Sequence, residues 1–560
     1  MKNTRRFASI ATAALLAACV AVPMTSAFSA SAAANNTIVI SDYNTTENND
    51  TGTHTYEAYQ VFSGQYAGGI LSNIVWGTGV DGDAILTALQ EASAETGNAL
   101  YGIFPADSVK SAKDVAKKLG EIKDTDDART KAFAEIVGTH LKGTPSESVN
   151  GEITNLDDGY YLVQDKSDSP DGITPGAQNS GAKTRFILNV VGGGKVMVQA
   201  KSSAPSVVKK VKENTDVSDY TYTNGAGQQI DADYNDVADY NIGDAVPFKL
   251  YGTMPSTLDD YKTYKYVFTD TLGEQFTAPA KNEVTVKIDG KAAEGAIVSV
   301  EGHKIIVSFE NILNGNTVTK ESVVTVEYTA VLSSAAEIGL PGQENKVSLS
   351  YSNNPNANGE GTLGTTPEDK VIVFTYELDV TKYLGDKNTK ANTENGTKAG
   401  FKLKNAAGKW AIVDTNNKIT GWAESESGAT EVTTGEDGVF KFIGLDDGTY
   451  TLKETTTPTG YNTMADLELI VDATTVNNQT WTGVAGDALT AIKLTMNNQE
   501  KQGNIENGTV SGEITNQKGS TLPSTGGIGT TIFYVAGGIL VAGAGVTLIA
   551  KKRMSKKEEA

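Results

Sequence analysis

The residues of this chain that could do chemistry are charged and amide side chains on the apolar faces of predicted strands. Alternate residues of a strand point to opposite faces of a sheet. By this alternation, Lys382 lies on the same face as the apolar residues of LDVTKYL. Glu454 shares a face with the tyrosine and leucine of YTLKE, and Asn516 shares a face with the isoleucine of EITN. The same alternation predicts a second inward set earlier in the chain, which consists of Lys209, Asp270 and Asn345.

Burial would change the chemistry of these groups. A buried lysine loses its proton and becomes a nucleophile, while a buried carboxyl keeps its proton and can polarise the carbonyl of an asparagine. Held close together, the three groups can form a Lys–Asn isopeptide bond with loss of ammonia. The plainer alternative is a buried ion pair beside a satisfying amide. In the second set, Lys210 is an alternative to Lys209 as the lysine, although the strand alternation fits it less well. Asp244 is an alternative to Asp270 as the acid.

The elements that must position these groups are strands in three successive segments. We name them the first segment (residues 34–200), the second segment (201–370) and the third segment (371–519). Alternating patterns and frequent turn signals predict a mainly β chain of three tandem Ig-like β-sandwich domains with antiparallel strands. The first also carries a helical insertion, predicted from DAILTALQEASAETGNALYGIF and SVKSAKDVAKKLGEI. LDDGYYLVQD at 156–165 repeats as LDDGTYTLKE at 445–454, which indicates a shared hairpin.

The composition argues against several classes of function. A net charge of −21 over 560 residues disfavours a nucleic-acid partner, because phosphate binding needs a basic surface. The single cysteine, Cys19, excludes an internal disulfide. His54, His140 and His303 are too far apart in sequence for a metal-ligand spacing, so we expect neither a metal nor a cofactor. Without a catalytic triad or phosphate loop in the sequence, a surface enzyme is the weakest hypothesis.

The N-terminus, residues 1–33, has the organisation of a secretory signal peptide. Basic residues precede an apolar run and then small residues, which predicts cleavage near Ala32 to Ala34. A transmembrane anchor would need a longer apolar span. LAAC at 16–19 resembles a lipoprotein cleavage box that would lipidate Cys19, and this alternative stays open.

The C-terminus, residues 520–560, combines a pentapeptide, an apolar span and a basic tail. The span is long enough to cross a bilayer, and the basic tail would stay in the cytoplasm. This order resembles the LPxTG sorting signal of Gram-positive surface proteins, formed here by Leu522, Pro523, Ser524, Thr525 and Gly526. The resemblance implies that a sortase cysteine attacks the Thr525 carbonyl, releases Gly526 onward and then passes the acyl group to an amine.

A further motif lies in the third segment. YTLKETTTPTGY at 450–461 resembles the E-box of Gram-positive pilins, whose glutamate promotes isopeptide formation in Cna-B-type domains. The resemblance implies a Cna-B-type sandwich in which Lys382 is bonded to Asn516 and Glu454 is the proton shuttle.

The other two segments differ in how closely they follow this pattern. The second segment resembles the middle, Cna-like domain of major pilins, which implies a bond between Lys209 and Asn345 with Asp270 as the shuttle. The first segment departs from the pattern, because its repeated hairpin ends in Asp165 and no lysine lies between the signal peptide and Lys110. We therefore predict no isopeptide bond in the first segment.

A candidate for an exposed nucleophile lies where the first two segments meet. VMVQAK at 196–201 loosely resembles the VxVYPK motif of major pilins, in which a lysine attacks the sortase-held threonine of the next subunit. Gln199 and Ala200 replace the tyrosine and proline of the motif. On parity Lys201 points away from the apolar face, and Lys195 is its nearest rival.

Together these resemblances imply a sortase-assembled major pilin, which is a secreted, wall-anchored subunit joined through Lys201 to Thr525 of the next copy. The implied partners are a sortase, further copies of the chain, minor pilins, peptidoglycan and host surface or matrix components. Internal bond formation would be autocatalytic and single-turnover, so the protein would not be an enzyme. The alternative function is a monomeric wall-anchored adhesin, or a minor pilin that binds a host ligand.

Overall fold

A computed structural model describes residues 35–41, 48–122, 127–173, 179–214, 222–223, 229–230, 233–359, 361–392, 397–476, 481–520 and 528–555. The predicted signal peptide, with Cys19, and the pentapeptide at 522–526 lie outside the described residues. Strands dominate the rest and form several sheets, which confirms the mainly β fold.

The first segment folds into two sheets with three helices. Its elements are β1 Asn36–Ser41, β2 Tyr56–Ala67, β3 Ile70–Trp76, α1 Gly82–Ala94, α2 Ala112–Glu121, α3 Asp127–Gly138, β4 Ser146–Glu147, β5 Glu152–Leu156, β6 Gly159–Asp165, β7 Ile187–Val191 and β8 Lys195–Gln199. The smaller sheet has the order β5-β1-β8, and the larger has the order β3-β2-β6-β7 with β4 on β2. Phe62 and Leu162 of the larger sheet share a core with Ile85, Val115 and Phe133 of the helices.

The helical insertion is confirmed, with two differences from the sequence prediction. Asp81 and Ser111 cap α1 and α2, since each side chain accepts a backbone N–H of the first turn. Residues 95–104, predicted as helical, form turns instead. The sequence did not predict the helix α3. It buries only a few apolar residues, such as Phe133 and Val137, and these follow a charged stretch in which no helical repeat of apolar residues is visible.

The second segment is a sandwich of two large sheets. Its strands are β9 Val207–Lys212, β10 Tyr222–Thr223, β11 Gln229–Ile230, β12 Tyr234–Asn235, β13 Val237–Asp239, β14 Ala245–Thr253, β15 Tyr266–Leu272, β16 Phe276–Thr277, β17 Thr285–Ile288, β18 Lys291–Ala292, β19 Ile297–Glu301, β20 Lys304–Phe309, β21 Val323–Leu332, β22 Gln343–Ser352, β23 Leu363–Thr365 and β24 Asp369–Phe374. One sheet has the order β12-β9-β14-β21-β17-β18, and the other has the order β13-β24-β22-β15-β20-β19. The second sheet therefore continues to residue 374.

The third segment is also built from two sheets. Its elements are β25 Tyr376–Leu384, β26 Asp386–Lys390, β27 Gly400–Asn405, β28 Trp410–Val413, β29 Ile419–Ala423, β30 Val432–Thr433, β31 Val439–Leu445, β32 Gly448–Thr456, β33 Leu467–Thr475, α4 Ala485–Ala488, β34 Leu489–Met496, β35 Gln499–Gln502 and β36 Thr509–Asn516. One sheet joins β26, β25, β31 and β36, and the other has the order β29-β28-β27-β32-β33-β34-β35.

Each segment contains a parallel pair of strands, whereas the sequence analysis predicted antiparallel sandwiches. The parallel pairs are β1 with β8, β13 with β24, and β25 with β36. In every case the two strands are far apart in sequence. Local alternation and turn signals identify hairpins, but they carry no information about pairs that need a long connection.

The chain ends in a long apolar helix, α5 Ile528–Ser555. Its stretch Thr531–Met554 has a mean hydropathy of 2.1, and by length and composition it could cross a membrane. Its large apolar side chains, such as Phe533 and Leu540, are exposed rather than packed on the sheets. The position and character of α5 confirm the predicted C-terminal apolar span.

Candidate functional site

The third segment brings its three predicted residues into contact in the core. Lys382 lies on β25 and Asn516 on the parallel neighbour β36, while Glu454 reaches them from β32 in the opposite sheet. None of the three is more than 3% exposed. Lys382 Nζ contacts Asn516 Oδ1 and lies 3.2 Å from Glu454 Oε1. Asn516 Nδ2 donates to the same Glu454 oxygen at 2.8 Å.

The surroundings of this site favour a neutral lysine. Lys382 Nζ lies 5.3 Å from the centre of the Phe401 ring. Burial lowers the pKa of Lys382, and the attraction of Glu454 opposes this shift only in part. The N–H of Met464 binds Glu454 Oε2 at 2.8 Å, so Oε1 is held between the lysine nitrogen and the Asn516 amide nitrogen. One carboxylate oxygen can therefore move a proton between the two nitrogens.

The second segment brings its predicted residues together across the two sheets of the sandwich. Lys209 lies on β9 in one sheet, whereas Asp270 on β15 and Asn345 on β22 belong to the other. All three are fully buried. Lys209 Nζ contacts an oxygen of Asp270 directly. Burial lowers the pKa of Lys209 and raises the pKa of Asp270, and their mutual attraction opposes both shifts.

Two alternatives in the second segment can be compared in the structure. Asp244 is half-buried before β14 and binds a neighbouring asparagine instead of a lysine. Lys210 is buried as well, which parity did not predict, because it pairs with Asp236 on the other side of β9. The contact geometry therefore favours Lys209 with Asp270 as the reacting pair.

Tyr328, on β21, is a residue of this site that the sequence analysis missed. Its hydroxyl accepts hydrogen bonds from Lys209 Nζ at 2.9 Å and from Asn345 Nδ2 at 2.8 Å, and it donates to Asp270 Oδ1 at 2.9 Å. A hydroxyl has one proton and two lone pairs, so its capacity is fully used. In the sequence, an inward tyrosine on an apolar strand face looks like an ordinary core residue, and it gave no signal of this contact.

Lys201 is exposed immediately after β8, as its parity predicted. Its neighbours Val198 and Ala200 are buried. The rival Lys195 is also exposed, but its Nζ lies 2.9 Å from Glu152 Oε1. Within the described part of the chain, no carboxylate pairs with the amino group of Lys201. The two lysines therefore differ in their availability as nucleophiles.

In the first segment, the buried acid contacts a buried histidine and not a lysine. Asp165, the counterpart of Glu454 in the repeated hairpin, is buried, and its Oδ1 lies 2.6 Å from His54 Nδ1. The other ring nitrogen of His54 lies 3.1 Å from Asp50. Asp165 also accepts the N–H of Thr184, whose hydroxyl accepts the backbone N–H of Lys201 at 2.9 Å. This network therefore supports the backbone at the exposed lysine.

The charge on His54 is expected to stabilise the first segment in a pH-dependent way. Burial lowers the pKa of His54, but hydrogen bonds and charges of Asp165 and Asp50 outweigh it and raise the pKa from 6.5 to about 10. The stabilisation is therefore complete below the ordinary pKa and is lost as the pH rises through the folded-state value. In calorimetry of the ectodomain, His54→Gln should lower the free energy of unfolding of the first segment by about 3 kcal/mol near neutral pH.

The exposed His303 offers a matched control for this prediction. We expect His303→Gln to leave the transitions of the ectodomain unchanged at every pH. The difference between wild type and His54→Gln should shrink in alkaline buffers. A difference that stays constant across the whole alkaline range would contradict the proposed charge state of His54.

Three acidic residues lie close together near the junction of the second and third segments. Asp239, Asp446 and Asp447 have carboxylate oxygens within 4.8 Å of one another. Burial, followed by repulsion from the other acids, raises the pKa of Asp446 well above its ordinary value. A carboxyl that keeps its proton relieves the repulsion, so the cluster does not require a cation.

Comparison with known families matches two parts of the chain. Residues 386–484 match the SpaA prealbumin-like fold domain, and residues 514–556 match the LPXTG cell wall anchor motif. The chain is 24% identical over 416 residues to the trypsin-resistant surface T6 protein of Streptococcus pyogenes serotype M6, across 63% of this chain and 70% of that protein. The matches agree with the predicted sorting signal and with the E-box segment, which contains Glu454.

Comparison with solved structures finds a similar overall fold in one backbone pilin. The T6 backbone pilin of serotype M6 Streptococcus pyogenes, described as a modular three-domain structure, superposes with a TM-score of 0.50 at 17% identity, over 88% of this chain and all of that one. The chain is a cell-wall-anchored protein with the backbone-pilin fold. The major pilin SpaD of Corynebacterium diphtheriae gives a TM-score of 0.43 at 17% identity, over 88% of this chain and 98% of SpaD.

Proposed function

We propose that this chain is the repeating shaft subunit of a covalent pilus, in which a sortase joins Lys201 of one copy to Thr525 of the next. The observation that carries the proposal is an exposed lysine between two folded segments, without a carboxylate partner among the described residues, in a chain that also contains a cell wall anchor motif. The likeness in fold to the T6 backbone pilin supports a role in the shaft.

The joining step needs an amine that an external acyl-enzyme can reach. A sortase thiolate would attack the Thr525 carbonyl, so that the bond to Gly526 breaks and a thioester forms. The neutral amine of Lys201 would then attack the thioester, lose a proton and release the thiol as the new amide forms. In the last copy an amine of peptidoglycan would replace Lys201. In the part of the chain that the structure describes, Lys201 has no carboxylate partner, whereas the amine of Lys195 is held by Glu152, and this difference supports Lys201.

We propose an internal isopeptide bond in the third segment. The neutral amine of Lys382 would attack Cγ of Asn516, and the amide nitrogen would leave as ammonia after it gains one proton from the lysine. Glu454 Oε1 is within 3.2 Å of the attacking nitrogen and 2.8 Å of the leaving nitrogen, which suits a proton shuttle. The three groups are already in contact, so little ordering remains before the reaction.

We propose a second bond between Lys209 and Asn345, with Asp270 as the acid. The contact of Lys209 with Asp270 and the opposite shifts of their pKa values support a neutral pair before reaction. This bond would connect β9 to β22 and so join the two sheets of the sandwich, whereas Lys382 and Asn516 lie on neighbouring strands of one sheet. Both reactions would be autocatalytic and occur once per chain, which gives no enzyme turnover.

The proposed function can be tested on cell-wall extracts boiled in SDS. A polymerised shaft subunit should give a ladder of high-mass bands on an immunoblot. A single monomer band would contradict the proposed role in the shaft and favour the alternative of a monomeric wall-anchored adhesin.

The internal bonds can be tested separately by intact mass of the soluble ectodomain, residues 35–520. The measured mass should fall short of the sequence mass by two ammonia molecules. Tryptic peptides should contain Lys209 linked to Asn345 and Lys382 linked to Asn516. A mass equal to the sequence mass would refute both bonds without affecting the polymerisation test.

A further inference from the structure

Tyr328 occupies a position in the second site that has no counterpart in the third. At the third site, one glutamate oxygen contacts both the attacking and the leaving nitrogen. At the second site the acid is Asp270, which contacts Lys209, while the leaving nitrogen of Asn345 is bound by the hydroxyl of Tyr328. The same hydroxyl donates to the other oxygen of Asp270 at 2.9 Å.

The length of the acid explains this difference. An aspartate side chain is one methylene shorter than a glutamate, and the hydroxyl of Tyr328 fills the space between the carboxyl and the amide nitrogen. The tyrosine is held in place, because its ring stacks on Phe248 with the ring centres 5.4 Å apart. Asn345 Oδ1 is buried and has no hydrogen-bond partner among the described residues, so the amide is oriented by its contact with the tyrosine.

We propose that Tyr328 is a catalytic residue of the second site, where its hydroxyl relays the proton from Asp270 to the leaving nitrogen of Asn345. Lys209 Nζ attacks Cγ of Asn345 and gives up one proton to Asp270. The attack turns Nδ2 into an amine with a free lone pair, so the two hydrogen bonds of Tyr328 reverse: its hydroxyl donates its proton to Nδ2 and recovers one from Asp270, while the Cγ–Nδ2 bond breaks. The products are one amide bond, one ammonia molecule, and an acid and a phenol in their starting states. This inference rests on the proposed isopeptide function.

The test is the rate at which each cross-link forms after cell-free synthesis of the ectodomain, followed by mass spectrometry of tryptic peptides. We expect Tyr328→Phe to slow the Lys209–Asn345 bond about a hundredfold, because positioned proton transfer contributes about that much. The Lys382–Asn516 bond should form at the wild-type rate and serves as an internal reference.

Tyr264→Phe is the matched control. Tyr264 is fully buried in the same core, and its hydroxyl has no partner among the described residues. We therefore expect this variant to form both bonds at the wild-type rate. Equal rates for Tyr328→Phe and Tyr264→Phe would overturn the inference. A wild-type chain without the Lys209–Asn345 bond would instead refute the proposed function on which the inference rests.

A rescue variant separates a proton relay from a purely structural role. In the Tyr328→Phe background, Asp270→Glu supplies the longer acid that is present at the third site. We expect this double variant to form the Lys209–Asn345 bond at least tenfold faster than Tyr328→Phe alone, within the range of a positioned acid. A double variant as slow as the single one would contradict the argument from side-chain length.

Discussion

Lys201→Arg is expected to convert the high-mass ladder of cell-wall extracts into a single monomer band. Attack on the sortase thioester needs a neutral nitrogen with an available lone pair. Arginine keeps the positive charge and much of the length of lysine, but its guanidinium stays protonated and is not a nucleophile. The expected effect is therefore complete loss of polymer, read on an immunoblot of material boiled in SDS.

Lys195→Arg is the control for this prediction. Lys195 is exposed at the start of β8, but it is paired with Glu152, and arginine can keep that ion pair. We expect its ladder to match that of the wild type. A ladder that persists in Lys201→Arg would contradict the assignment, and its loss in Lys195→Arg alone would move the linkage to Lys195. Monomers of Lys201→Arg should remain wall-anchored, because Thr525 is intact.

Glu454→Gln is expected to prevent the bond between Lys382 and Asn516, so that the ectodomain falls short of its own sequence mass by one ammonia molecule instead of two. Glutamine has nearly the same shape as glutamate, so the core should still fold. It cannot accept a proton from Lys382, and the leaving nitrogen of Asn516 would have to depart as a much poorer leaving group. Intact mass and peptide mapping would measure the effect, while the bond between Lys209 and Asn345 should be retained.

The loss of this bond should also destabilise the third segment. Lys382 and Asn516 are 134 positions apart in the sequence. By analogy with disulfide loop closure, a bond across such a loop stabilises by about 5 kcal/mol if chain entropy dominates. We therefore expect a lower unfolding temperature for the third segment in calorimetry and faster cleavage there by trypsin.

Glu424→Gln is the control for the third segment. Glu424 is an exposed acid that pairs with Lys409 at the surface, where an ion pair contributes little to stability. This variant should still fall short of its own sequence mass by two ammonia molecules and should keep the wild-type unfolding temperature. A Glu454→Gln chain that still contains the cross-link would show that Glu454 is not needed for the reaction.

The sequence by itself determined which side chains point inward. The direction of a side chain on a strand follows from the two-residue period of the backbone, which is local, and the apolar neighbours identify the buried face. All six residues that this alternation directs inward at the two sites are buried, namely Lys209, Asp270, Asn345, Lys382, Glu454 and Asn516. The C-terminal anchor could also be predicted from the sequence, because its pentapeptide, apolar span and basic tail are contiguous.

Only the tertiary structure decided which of these groups meet. The residues of each site are far apart in the chain, and their contact depends on strand order and on parallel pairing, which no local pattern records. For this reason the structure alone shows Asp270 rather than Asp244 beside Lys209, and the hydroxyl of Tyr328 between them and the amide. The sequence likewise gave no indication that His54 is charged, because its charge depends on two carboxylates that only the folded chain brings to it.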